Sequence, residues 1–167
     1  MNQPVTIRPA TEQDVSRIRE IYNVEVESSP FLFTDQPLTD EQQLDWLRAR
    51  LPTHPVLVAA EGDYVTGWAS LSPWSWHGGY DKTVEVSFFV DWAYRGRGTG
   101  KVLLQAIIDA GRDKGYRVFI SRIVEGNDAS ITLHHNAGFQ HIGTQPKVGH
   151  KLGAWHDVLL YQKNLPE

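Results

Sequence analysis

The period of the hydrophobic positions changes several times along the chain, and each change predicts an element boundary. Val5 and Ile7 alternate in a short first strand that ends near Pro9. Thr11-Glu12-Gln13-Asp14 then has the pattern of a helix cap with an acidic third residue, and Val15, Ile18, Ile21 and Tyr22 continue at helical spacing. A second cap, Thr39-Asp40-Glu41-Gln42, precedes Leu44, Leu47 and Leu51, and Pro52 closes that helix. Val56 to Ala60 and Val65 to Leu71 are apolar strands joined by the turn residues Glu61-Gly62-Asp63. Ser72 to Asp81, rich in Pro, Trp and Gly, predicts a loop.

Thr83 to Val90 has the clearest strand pattern. Val84, Val86, Phe88 and Val90 share one face, while Glu85 and Ser87 point to the other. A Gly-rich turn leads into a long amphipathic helix from Thr99 to Lys114, with Leu103, Leu104, Ile107, Ile108 and Ala110 inward and Gly115 as its C-cap. A strand (Arg117 to Ile123), a helix (Asp128 to Asn136), a strand (Phe139 to Gly143), a loop and a last strand (His156 to Gln162) complete the pattern. Strand and helix patterns alternate with no repeat or long linker, which predicts one α/β (α+β) domain over residues 1–167, built on a single sheet.

Composition narrows the function classes. The chain has 167 residues, 41% hydrophobic and 22% charged, near globular averages. Its net charge of −4 argues against a nucleic-acid partner, which would be held by clustered Lys and Arg. With no Cys, disulfides, thiolate metal sites and a Cys nucleophile are excluded. No metal is predicted from the seven His, because adjacent His134 and His135 cannot face one ion on a helix. Met1 to Arg8 lacks a signal-peptide pattern, and no apolar run approaches the roughly 18 residues of a membrane span. A cytoplasmic protein without a membrane partner is the expectation.

Arg95-Gly96-Arg97-Gly98-Thr99-Gly100-Lys101 lies between the strongest strand and the longest helix. Glycines let the backbone turn tightly there, and a helix N-terminus offers free N–H groups to an anion. The Walker A spacing is not met: Gly96 is three residues before Gly100-Lys101, and Val102 stands where Ser or Thr would bind magnesium. A dinucleotide fingerprint is equally poor, since the pattern is G-x-G-x-G and occurs late in the chain. A glycine-rich turn without a ligand is the remaining alternative.

Glu85, mid-strand and opposite the apolar face, is a candidate general base. The competing reading is an ion pair with a basic residue on a neighbouring strand. His134 is either a proton donor near neutral pH or a satisfied structural histidine.

The segment Arg95-x-x-Gly98-x-Gly100, followed by Asn127-Asp128-Ala129-Ser130 and Gly138-Phe139, resembles the signature of the GNAT superfamily of N-acetyltransferases. The likeness extends to its phosphinothricin and methionine sulfoximine acetyltransferase branch through Ile7-Arg8-Pro9-Ala10, Ile21-Tyr22-Asn23, Pro55 to Ala59, Ser72-Pro73-Trp74, Thr83 to Ser87, Ser130 to His134 and Val148 to Asp157. The resemblance implies a GNAT fold, with a mixed sheet of about seven strands flanked by about four helices. It also implies acetyl transfer from acetyl-CoA to the amino group of a small amino-acid-like acceptor, with a polyamine, aminoglycoside or protein amine, or a silent acyl-CoA sensor, as alternatives.

By that resemblance Glu85 and His134 are the catalytic pair. Phe88, Phe89, Val90, Arg95, Gly96, Arg97, Gly98, Thr99, Gly100, Lys101, Asn127 and Ser130 bind the cofactor. Trp74, Ser75, Trp76, His77, Glu85, Val86 and Ser87 line the acceptor pocket, and Lys151 to Asp157 reaches a partner in a homodimer. Ser75 and His77 replace basic residues that the branch often carries, so another group is expected to hold an acceptor carboxylate.

Overall fold

The computed structural model describes residues 4–50 and 52–166. Seven strands form one sheet in the order β1-β2-β3-β4-β5-β7-β6. They are β1 (Val5–Pro9), β2 (Val56–Glu61), β3 (Tyr64–Pro73), β4 (Thr83–Val90), β5 (Val118–Val124), β6 (Gln140–Lys151) and β7 (Ala154–Asn164). Four α-helices accompany them: α1 (Val15–Ser28), α2 (Asp40–Arg50), α3 (Thr99–Asp113) and α4 (Asp128–Asn136). Every strand pair is antiparallel except β4 with β5. The expected mixed sheet of about seven strands and four helices is therefore present.

Local chemistry accounts for most boundaries. The Asp14 carboxylate accepts from the Thr11 amide at 2.8 Å and from both arms of Arg8, so α1 is entered through a short 3-10 turn, Glu12–Asp14. At α2, Thr39 and Gln42 cap one another reciprocally, at 2.9 and 3.2 Å. Leu51, assigned by sequence to the apolar stripe of this helix, lies outside the described residues.

The sheet divides two cores. Leu103, Leu104, Ile107 and Ile108 of α3 pack with Val84, Val86 and Phe119 on one face, and Ile18 and Ile21 of α1 with Leu47, Val58 and Trp68 on the other. The alternation read along β4 is thus the alternation between these two faces. No helix among the described residues is long and apolar enough to cross a membrane.

One segment differs from the sequence expectation. The predicted loop after Gly143 is strand, because β6 and β7 form a long hairpin turned at Leu152 (φ 50°) and Gly153 (φ 77°). Its alternation is interrupted by register shifts at His141/Gly143 and Gln145/Gly149. Pro146 has no amide hydrogen, and the Lys147 amide turns aside to the Asp157 carboxylate at 2.7 Å. A strand with two interruptions loses the period that reveals it.

Candidate active site

The parallel pairing of β4 with β5 stops after three positions, the last being Glu85 with Ile120. Beyond it both strands continue without pairing each other, β4 to Val90 and β5 to Val124. The opening between them is part of a cavity of about 900 Å³. Ser87 to Val90 and Ser121 to Val124 line it, together with Gly96 and Gly100 from the start of α3, Asn127 to Ser130 from α4, and Phe31 to Thr34 from the segment after α1.

One end of this cavity suits an anion. Gly96 and Gly98 have φ of 74° and 88°, a left-handed conformation that favours glycine. The first amides of α3 have no partner within the helix, and the Thr99 hydroxyl is buried without a hydrogen-bond partner. Free helix amides beside a glycine turn, with Gly96 and Gly100 in the cavity wall, fit a pyrophosphate. At Gly100 a Cβ would come 3.1 Å from Leu133 and 3.5 Å from Phe88, so the cavity wall is closely packed there. Asn127 caps α4 by accepting from the Ser130 amide at 3.3 Å.

The basic residues of this turn are less free than their charge suggests. Arg95 gives Nε to the Val90 carbonyl and pairs with Glu25, while Arg97 lies over the Tyr94 ring at 5.0 Å. Arg97, Gly98, Thr99 and Lys101 are not among the residues lining the cavity.

At the other end stands Glu85, whose side chain is 18% exposed. Its carboxylate accepts from Arg122 Nε at 2.7 Å and from Nη2 at 2.5 Å, a bidentate pair across the strand opening. The ion pair expected as the competing reading of Glu85 is therefore present, and it lies in the cavity wall. The carboxylate bond holds the Arg122 guanidinium above its ordinary pKa, against a smaller opposing effect of burial.

His134 is 2% exposed, with its ring beside Phe88 and edge-on to Phe139. Nδ1 lies 2.8 Å from the Ser130 carbonyl, which can only accept, so Nδ1 carries the proton. Nε2 then accepts from the Ser121 hydroxyl at 2.8 Å. Burial lowers the His134 pKa, partly opposed by the Ser130 carbonyl. His134 thus lines the cavity as a neutral ring with both nitrogens engaged.

The segment Trp74 to His77 departs from its expected place. None of Trp74, Ser75, Trp76 and His77 lines the cavity; Trp76 is 87% exposed and stacks on His77. Only Trp74 approaches the site, its ring 5.8 Å from the Arg122 guanidinium. Val86 and Ser87 do line it, as do Phe88, Phe89 and Val90, although the Phe89 ring stacks on Trp68.

Sequence reading passed over Phe31, Phe33, Thr34, Ser121 and Arg122. The one signal for the first two was an apolar Phe-Leu-Phe run outside any periodic element. Arg122 was visible only as a charge within an apolar strand.

Comparison with known proteins agrees with this geometry. A family model described as the Acetyltransferase (GNAT) family matches residues 18–139. The L-methionine sulfoximine/L-methionine sulfone acetyltransferase of Salmonella typhimurium is 40% identical over 164 residues, 98% of this chain and 96% of that protein. The L-amino acid N-acyltransferase MnaT of Escherichia coli is 38% identical, over 98% and 95%. A solved Salmonella typhimurium acetyltransferase structure with its cofactor acetyl-CoA superposes with a TM-score of 0.94 at 39% identity, covering 98% of this chain and 95% of that one. With the divided β4–β5 sheet, the glycine turn at the head of α3 and these matches together, the chain belongs to the GNAT family of acetyltransferases.

Proposed function

We propose that this protein transfers the acetyl group of acetyl-CoA to the amino group of a small α-amino acid of the methionine sulfone, methionine sulfoximine or phosphinothricin type. The observation that carries this reading is that one cavity joins an anion-fitting helix N-terminus to a carboxylate, Glu85, on the adjoining strand. The Gly96–Gly100 turn, Asn127 and Ser130 would hold the phosphates and pantetheine of the donor. Backbone amides at the exit of β4 are available to polarise the thioester carbonyl.

In this reading Glu85 takes a proton from the acceptor's ammonium, directly or through water. The freed amine forms a C–N bond to the acetyl carbon, the C–S bond breaks, and the amide nitrogen sheds its second proton to water. CoA leaves as a thiolate, and a thiol with an ordinary pKa of about 8.5 regains its proton from water at neutral pH without a dedicated acid. His134 then acts as a positioning residue for the β5–α4 wall through Ser121. The expected compartment is the cytoplasm.

A homodimer is part of the same reading. Val148, Leu152 and Trp155 of the β6–β7 hairpin are all more than half exposed, on the strand pair at the sheet edge. Sedimentation of the wild type as two chains, and of Trp155→Glu as one, is the expected result.

The direct test is CoA thiol release with a panel of amines, with Glu85→Gln beside the wild type. Turnover of L-methionine sulfone, with kcat lowered about 10²- to 10⁴-fold in the variant, is expected. Turnover of spermidine or a Lys-rich peptide alone would overturn the acceptor class. Saturable acetyl-CoA binding without turnover of any amine would favour a sensor.

A further inference from the structure

An α-amino acid carries its carboxylate two bonds from the nitrogen that must react. With the ammonium at Glu85, that second carboxylate comes within a few ångströms of the first, and two like charges so close need a shared cation. The described residues lining the cavity include two permanent cations, Arg95 and Arg122. Arg95 is turned toward Glu25 and the Val90 carbonyl at the other end. Arg122 is beside Glu85, and its side chain remains 54% exposed.

The pairing also leaves the guanidinium partly unused. Glu85 occupies the Nε and Nη2 edge, while Nη1 makes no hydrogen bond among the described residues. A guanidinium has five N–H donors in a rigid fork, so its Nη1–Nη2 edge can take a second carboxylate in bidentate geometry without releasing the first. The Trp74 ring, 5.8 Å from Arg122 Cζ, flanks the same group.

We propose that Arg122 is the anchor for the acceptor's α-carboxylate, sharing one guanidinium between Glu85 and the incoming amino acid. This rests on the acetyltransferase reading given above and names the residue that makes it selective for amino acids.

The test is steady-state kinetics with L-methionine sulfone and its carboxamide, comparing wild type, Arg122→Gln and Arg122→Lys. Wild type is expected to favour the acid over the amide. Arg122→Gln should raise KM for the acid about 10- to 100-fold, the worth of a charge-assisted hydrogen bond, while KM for the amide moves less than about threefold. Arg122→Lys, which keeps the charge without the fork, should fall between them and serves if the Gln variant does not fold.

Equal losses on acid and amide would make Arg122 a support for Glu85 alone and overturn the anchor, leaving the acetyltransferase reading intact. So would unchanged kinetics on both. Wild-type turnover confined to amines without a carboxylate, or absent on every amine, would instead overturn the amino-acid reading, and the anchor with it.

Discussion

The two ends of the cavity are built in opposite ways. The donor end is contiguous: Arg95 to Lys101 forms a turn and a helix start, and Asn127 to Ser130 another helix start. Its chemistry comes from backbone amides, and what the sequence must supply is permission for the backbone to bend. The acceptor end is assembled from separate places: Glu85 from β4 and Arg122 from β5. Its chemistry comes from side chains that meet only after folding. A site made of backbone leaves a local mark in sequence, while a site made of converging side chains leaves almost none.

The strongest way to separate the two ends is to fill the donor wall. Gly100→Val would place γ-carbons where a Cβ already lies 3.1 Å from Leu133 and 3.7 Å from Val90. Misplacing a bound donor by about 1 Å costs on the order of 10²-fold, so kcat/KM for acetyl-CoA should fall by about that factor. Acceptor KM should remain within about threefold. Isothermal titration of acetyl-CoA, with a melting curve as folding control, checks it; a matching loss of acceptor affinity would mean the ends are not independent.

That asymmetry explains what could be read in advance. The seven strands and four helices were largely legible because a buried face imposes period 2 or 3.6 on apolar residues, as in Thr83 to Val90 and the α3 stripe. β6 was the exception, since Pro146 and two register shifts erase its period. In the site, Gly96 and Gly98 were legible because a positive φ restricts the residue type. Glu85 stood out as a carboxylate inside an apolar strand. Its partner did not, because nothing local says that residue 122 will lie across from residue 85. His134 was legible as a candidate, while the partners of its ring, Ser121 and the Ser130 carbonyl, were not.

A smaller perturbation reaches the cavity from a distance. A Cβ on Gly149 of β6 would stand 2.0 Å from Cε2 and 2.2 Å from Cζ of Phe33, so Gly149→Ala must move the ring or the strand. Overpacking of this kind costs about 1–3 kcal/mol. Since Phe33 lines the cavity, we expect kcat/KM for the acceptor to fall about 10-fold. Phe33→Ala in the same chain should relieve the clash and recover part of the melting temperature; no recovery would place the damage in β6 itself.

The smallest effect concerns the wall between the two ends. His134 is buried and neutral, its pKa lowered chiefly by burial, so the unfolded chain binds a proton there more readily than the folded one. Stability is therefore full above the unfolded pKa of about 6.5 and is lost as pH falls through the folded value, with a slope of at most about 1.4 kcal/mol per pH unit. His134→Gln, which keeps a polar group facing Ser121 and Ser130, should lower stability at pH 8 yet flatten its decline below pH 6.5. Denaturant midpoints of both chains at pH 8, 6.5 and 5.5 measure the difference. A decline equally steep in both would mean that His134 titrates freely in the folded protein, and with it the neutral, hydrogen-bonded ring that keeps Ser121 turned inward would have to be abandoned.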